Sequence, residues 1–128
     1  MSVYSNTDIK AAIKSGHIVF HPYQEEHIAG SSVDVTLGNY FYKQEYQEEA
    51  RVYNPFDPED VARYFKGPLE AMPHHEWCER HGYKPFANIP ANHPIIVLQP
   101  GERILAHTHE FIGIKAPGTS TMQARSTW

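Results

Sequence analysis

The side chains best equipped for chemistry stand together near the end of the sequence, where Arg125, Ser126 and Thr127 follow one another. A planar guanidinium grips phosphate oxygens through paired N–H donors, and two adjacent hydroxyls with their backbone N–H groups add more. The trio therefore suits the anionic tail of a nucleotide; its bland counterpart is a strand-end arginine with polar neighbours. Asp34 is a second candidate, either orienting a ligand or a water beside it, or serving the fold as a polar strand residue or a carboxylate bonded to turn backbone. His74, Cys78 and His81 fall at i, i+4 and i+7 of an expected helix, one face with ligand-capable spacing. We read that helix as a polar one in an exposed insertion, with no metal. His107 and His109 alternate on one strand face and are read as lining a surface or a subunit contact. Glu102 and Glu110, the only acids after residue 92, are read as solvated strand-end positions.

These side chains need elements to carry them. Ser5 or Asn6 can cap a short helix, with Asp8 favourable in its first turn. Ile9, Ala12 and Ile13 recur at helical spacing until Ser15 and Gly16 end it. Ile18, Val19 and Phe20 read as a strand broken at Pro22. Residues 31–38 alternate cleanly, with Val33, Val35 and Leu37 on one face and Asp34 and Thr36 on the other, which predicts a half-buried strand. Gly38 and Asn39 offer a bend before the aromatic run Tyr40, Phe41 and Tyr42.

Residues 43–92 change character, rich in Glu, Gln, Pro and His, and are read as a large insertion or lid within the domain. Asp57, Pro58, Glu59 and Asp60 make a good helix start, with Gly67 as its stop, and residues 73–82 have the same form. The β pattern resumes at residues 94–98. Gln99, Pro100, Gly101 and Glu102 then form a turn, residues 104–108 and 111–114 two strands, Ala116, Pro117 and Gly118 a second turn, and residues 120–128 a last strand. Short strands separated by Pro-Gly turns predict a mainly β sandwich or barrel.

A chain of 128 residues with 41% hydrophobic content suits one domain with a modest core. Its formal net charge of -4 implies no general affinity for nucleic acid, although a few local cations could hold a single nucleotide. Cys78 is the one cysteine, so no intramolecular disulfide can form, which fits a reducing compartment. With no signal peptide and no apolar run long enough for a bilayer, the sequence reads as a soluble, cytoplasmic protein with no membrane partner.

Three stretches, in order, resemble the dCTP deaminase and dUTPase superfamily, and dCTP deaminase in particular. The first ends in Ile28-Ala-Gly-Ser-Ser-Val-Asp-Val-Thr-Leu-Gly-Asn39, similar to that family's Ser/Thr, Val-Asp-hydrophobic-x-Leu-Gly pattern. The second is Val97-Leu-Gln-Pro-Gly-Glu102, followed by strand residues and an acid at Glu110, and the third is Met122-Gln-Ala-Arg-Ser-Thr127. Residues 43–92 lie outside the resemblance, being longer than the family's usual insertion.

The resemblance implies a distorted jelly-roll or β-barrel of the dUTPase type, forming homotrimers with nucleotide sites between neighbouring subunits. It implies deamination of dCTP to dUTP and ammonia, supplying dTTP synthesis, with Mg2+ on the triphosphate and no zinc. The His-x-Glu and Pro-Cys-x-x-Cys signature of zinc deaminases is absent, and one cysteine cannot build it. By position, Arg125, Ser126 and Thr127 match the family's phosphate element, with Ser126 beside the base as a catalytic residue and Asp34 in the place of a ligand-orienting aspartate. An assisting Arg and the catalytic Glu are expected downstream of Trp128. The sequence stops one residue past the motif, inside an expected strand, which would leave an open apolar edge. A single, incomplete domain over residues 1–128 is therefore expected, completed by a longer polypeptide or a companion chain. Three other readings stay open: a non-catalytic module binding dCTP, dUTP or dTTP; a dUTPase; and a trimeric scaffold with no ligand.

Overall fold

The computed structural model describes residues 3–45 and 52–124. In chain order its elements are α1 (Asn6–Ser15), β1 (Ile18–His21), a 3-10 turn (Glu25–His27), β2 (Ile28–Ala29), β3 (Ser32–Val33), β4 (Leu37–Gln44), α2 (Pro58–Tyr64), β5 (Phe65–Glu70), β6 (Met72–Pro73), α3 (His74–His81), β7 (Pro94–Ile95), β8 (Ile104–Thr108) and β9 (Phe111–Ile114). Strand outweighs helix, as the sequence predicts, and the strands are distributed over four small sheets. The chain divides into two units, Met1–Thr36 with Thr108–Trp128, and Leu37–His107.

In the first unit, α1 begins at a reciprocal cap. Asp8 N–H donates to the Ser5 hydroxyl oxygen at 3.2 Å, and Ser5 N–H donates to the Asp8 carboxylate at 3.0 Å. These bonds satisfy donors that a helix start leaves orphaned, and they hold the Asp8 carboxyl below its usual range, the Ser5 backbone bond contributing most. Gly16 closes the helix in the left-handed region, φ 81°. Ile9 and Ala12, three apart, form the buried stripe of α1, which packs beside β1, where Phe20 is buried. β1 pairs antiparallel with β9, Ile18 opposite Ile114 and Phe20 opposite Ile112. β2 and β3 form a small hairpin, Ile28 opposite Val33.

In the second unit, β4 is the centre of a three-stranded sheet between β5 and β8. β5 runs antiparallel to β4, with an irregularity between Phe41 and Lys43. Asp57 caps α2, accepting from Glu59 N–H at 3.0 Å, with Pro58 first in the helix. Asp60, buried on the same helix, accepts from Asn54 N–H at 3.0 Å and from Arg63 at 2.7 Å. Pairing of β6 with β7 closes a loop around α3, which ends at Gly82 with φ 72°.

Four expectations change. Gly67 does not stop α2; the helix ends at Tyr64 and Gly67 lies inside β5. β5 escapes a propensity reading because it contains Gly67 and Pro68. Both are tolerated there because β5 is an edge strand, where a missing N–H breaks no ladder. Residues 31–38 are not one strand: β3 ends at Val33, the chain leaves pairing over residues 34–36, and β4 starts at Leu37. The strand expected over residues 94–98 shrinks to Pro94–Ile95. Residues 120–124 carry no strand, and the remainder of the last predicted strand, residues 125–128, lies outside the described residues.

Candidate functional site

The break at residues 34–36 has a cause that sequence pattern hides. Thr36 N–H lies 3.0 Å from both carboxylate oxygens of Glu110, and the Thr36 hydroxyl donates to one of them at 2.7 Å. His109 N–H donates to the Thr36 carbonyl at 2.8 Å, so every polar group of Thr36 ends on residues 109 and 110. The Thr108 hydroxyl donates to the Glu110 carbonyl at 2.7 Å, bracing the bend between β8 and β9. Asp34, two residues earlier, is half-buried, and its N–H donates to the His27 carbonyl at 2.8 Å.

Glu110 itself is 6% exposed, contrary to the solvated position read from sequence. Burial pushes its carboxyl up, but the Thr36 hydroxyl and amide bonds outweigh this and hold it below the usual carboxylate range. A buried carboxylate survives ionised only when such bonds replace its hydration. Glu102, by contrast, pairs with Lys43 at 3.0 Å and accepts from Gln99 N–H, which keeps its carboxyl low and ties the Pro-Gly turn to β4.

The histidines of the second unit serve packing. His74 is 1% exposed; its Nε2 accepts from Phe86 N–H at 2.8 Å, which places the ring proton on Nδ1, facing the carbonyls of Ile89 and Pro90 at 3.2 and 3.3 Å. Both ring nitrogens are thus committed to backbone. Cys78 is buried on α3, the helix that His74 begins, and His81 stacks on Trp77 with centroids 4.2 Å apart. Among the described residues no three metal-ligating side chains converge. His107 lies against Gly38 and stacks with Tyr40 at 6.4 Å.

A family model described as dCTP deaminase-like matches residues 3–128. The chain belongs to the dCTP deaminase-like family. It is similar to proteins named dCTP deaminase, dUMP-forming, from Streptomyces avermitilis (28% identity, 96% of this chain, 52% of the relative) and Thermobifida fusca (29% identity, 96% and 51%). A relative of the same name from Methanopyrus kandleri is 31% identical, over 99% of this chain and 56% of its own length. The chain spans about half the length of the curated relatives it matches.

For a dCTP deaminase-like chain, the phosphate element read from sequence, Arg125, Ser126 and Thr127, lies outside the described residues. Asp34 is placed in the first unit on a segment pinned at both ends. Sequence reasoning missed Glu110 as a partner of Thr36. Thr36 and Glu110 are 74 residues apart, and no local spacing announces such a pair. Elsewhere the described residues line open clefts. One of about 450 Å³ in the second unit is lined by Tyr42, Phe56, Val61 and Phe65. Another, of about 650 Å³ in the first, is lined by Tyr4, Asp8, Ser15 and His17. Neither includes Asp34 or Glu110. Among the described residues no helix is long and apolar enough to cross a membrane.

Proposed function

We propose that this chain forms part of a cytoplasmic enzyme that hydrolytically deaminates dCTP. The observation that carries the proposal is the family match over residues 3–128, joined by relatives named dCTP deaminase, dUMP-forming. Water adds to C4 of the cytosine ring and ammonia departs, so that dCTP and one water become dUTP and ammonia. The relatives' name adds a second step, in which another water displaces diphosphate from dUTP to leave dUMP.

In this reading Arg125 and the hydroxyls of Ser126 and Thr127 hold the triphosphate, Ser126 also stands beside the reacting base, and Asp34 orients the nucleotide. Mg2+ enters as the counter-ion of the triphosphate, bound by phosphate oxygens. The base that activates water is a glutamate carried by sequence corresponding to the other half of the relatives. The functional assembly in this reading is the homotrimer that the family resemblance implies; the large apolar side chains exposed on this chain, Phe56 and Phe111 among them, are surface that partner subunits or further chain would cover.

The test is turnover by the polypeptide that joins this chain to the segment matching the rest of its relatives. Incubated with dCTP and Mg2+, it is expected to release ammonia together with dUTP or dUMP, resolved by anion-exchange chromatography. Tight nucleotide binding without ammonia would favour the non-catalytic module instead, and neither binding nor turnover would end the nucleotide reading.

A further inference from the structure

Two charged side chains are buried among the described residues, Asp60 and Glu110. Asp60 is answered by the guanidinium of its helical neighbour Arg63, as a helix cap region ordinarily allows. Glu110 is different, because, its own backbone amide aside, its carboxylate is held by one residue distant in sequence. Thr36 alone could satisfy its amide and hydroxyl with water, being exposed itself. A carboxylate spent on that single position does more than cover a donor: it fixes where the backbone of residues 34–36 lies.

The pinning is two-sided. Asp34 N–H is held by the His27 carbonyl at 2.8 Å, and Thr36 is held through N–H, hydroxyl and carbonyl by residues 109 and 110. Only Val35 separates the two anchors, so Asp34 cannot shift along the chain without breaking bonds at one of them. We propose that Glu110 is a positioning residue, which through Thr36 sets the place of Asp34 for nucleotide recognition. The inference rests on the deaminase reading above, in which Asp34 meets the nucleotide. Glu110 itself touches no reacting atom; it acts at second hand, as supporting side chains do when they lock a recognition group into register.

The test compares four forms of the full-length polypeptide on dCTP: wild type, Asp34→Asn, Glu110→Gln and the double variant. A glutamine at 110 keeps one acceptor oxygen but loses the charge and replaces the second oxygen with an NH2 donor, so Thr36 N–H and hydroxyl can no longer both donate to a carboxylate, and the anchor loosens while side-chain volume is kept. Glu110→Gln is expected to lower kcat/KM about tenfold, chiefly through KM, the scale of loss that small misplacements cause. In the Asp34→Asn background the same change is expected to cost less than about twofold, since what Glu110 positions has already gone. A purely structural role for Glu110 would subtract the same factor in both backgrounds. If Glu110→Gln fails to fold, Thr36→Val, which deletes only the 2.7 Å hydroxyl bond, carries the same comparison. Equal losses in the two backgrounds, or an Asp34→Asn protein with wild-type kinetics, overturn the inference while leaving the deaminase standing. A wild-type protein without turnover overturns the deaminase reading and this one with it.

Discussion

A buried carboxylate bonded only to neutral donors depends on staying ionised, and Glu110 is such a group in its contacts with Thr36. Its folded-state carboxyl lies below the usual range, despite burial, because the Thr36 bonds favour the charged form. The unfolded chain, with an ordinary glutamate, therefore binds more protons than the native state in acid. The stabilisation is present above that unfolded value and is lost as pH falls through the depressed folded one. Thermal melts between pH 7 and pH 3 are expected to show a shallower acid-side decline for Glu110→Gln than for wild type, from a lower starting point at pH 7. Parallel curves would mean that Glu110 does not hold this charge. Asp8 and Glu102 also have lowered carboxyl values, but they are shared by both proteins and drop out of the difference. The second residue-scale expectation concerns Arg125. In the full-length protein Arg125→Ala should weaken triphosphate binding by ~2 kcal/mol, the scale of a lost charge-assisted hydrogen bond. Unchanged affinity in a calorimetric titration would remove it from the phosphate element.

At the scale of elements, the contact between β4 and β8 depends on the smallest side chain. Gly38 is buried in β4, and a Cβ there would run into the imidazole of His107 on β8. Its φ is not in the left-handed region, so the demand is for space alone. Gly38→Ala is expected to destabilise by ~1–3 kcal/mol, the range for overpacking. Combining it with His107→Ala should recover most of that loss in a denaturant titration, and failure to recover would place the cost elsewhere. The Ser5 cap is simpler: Ser5→Ala removes the hydroxyl that accepts from Asp8 N–H and donates to the Asp8 carboxylate, keeps the backbone N–H bond to that carboxylate, and should cost ~1 kcal/mol, read as a lower melting temperature. Helices were legible because their signals are local. Ser5, Asp57 and Gly82 announce boundaries that the structure keeps. β5 was not legible, because Lys66, Gly67 and Pro68 favour no strand and only pairing with β4 makes one.

At the scale of the molecule, few apolar side chains are withdrawn from water: Ile9, Ala12, Phe20 and Cys78 are the buried hydrophobic residues among those described. Val52 and Phe56, each 92% exposed, and Phe111 at 74% stand at the other extreme. Apolar surface on this scale is ordinarily covered by further chain or by partner subunits. On the trimer proposed above, sedimentation of the full-length protein is expected to give three protomer masses, and a monomer would remove the trimer from the proposal. Nucleotide binding should appear as added stability. With dCTP and Mg2+ at a hundred times the dissociation constant, the native state gains ~2.7 kcal/mol, visible as a raised melting temperature. No shift would favour a scaffold without a ligand.

The ordered signatures around Asp34, Pro100 and Arg125, the capped helices and the β-rich character were determined by the sequence alone, because each rests on residue types at short separations. Family membership followed the same signatures. The clamp on Thr36, the edge strand β5 and the commitment of both His74 nitrogens to backbone were decided only in three dimensions. Each joins groups from 12 to 74 residues apart, or depends on a strand neighbour, and no periodicity records such meetings. The alternation of residues 31–38 pointed to a continuous strand, yet a distant carboxylate offered Thr36 better bonds than a flanking strand did. The His27 carbonyl on one side and the distant Glu110 carboxylate on the other, not strand alternation, determined where Asp34 stands.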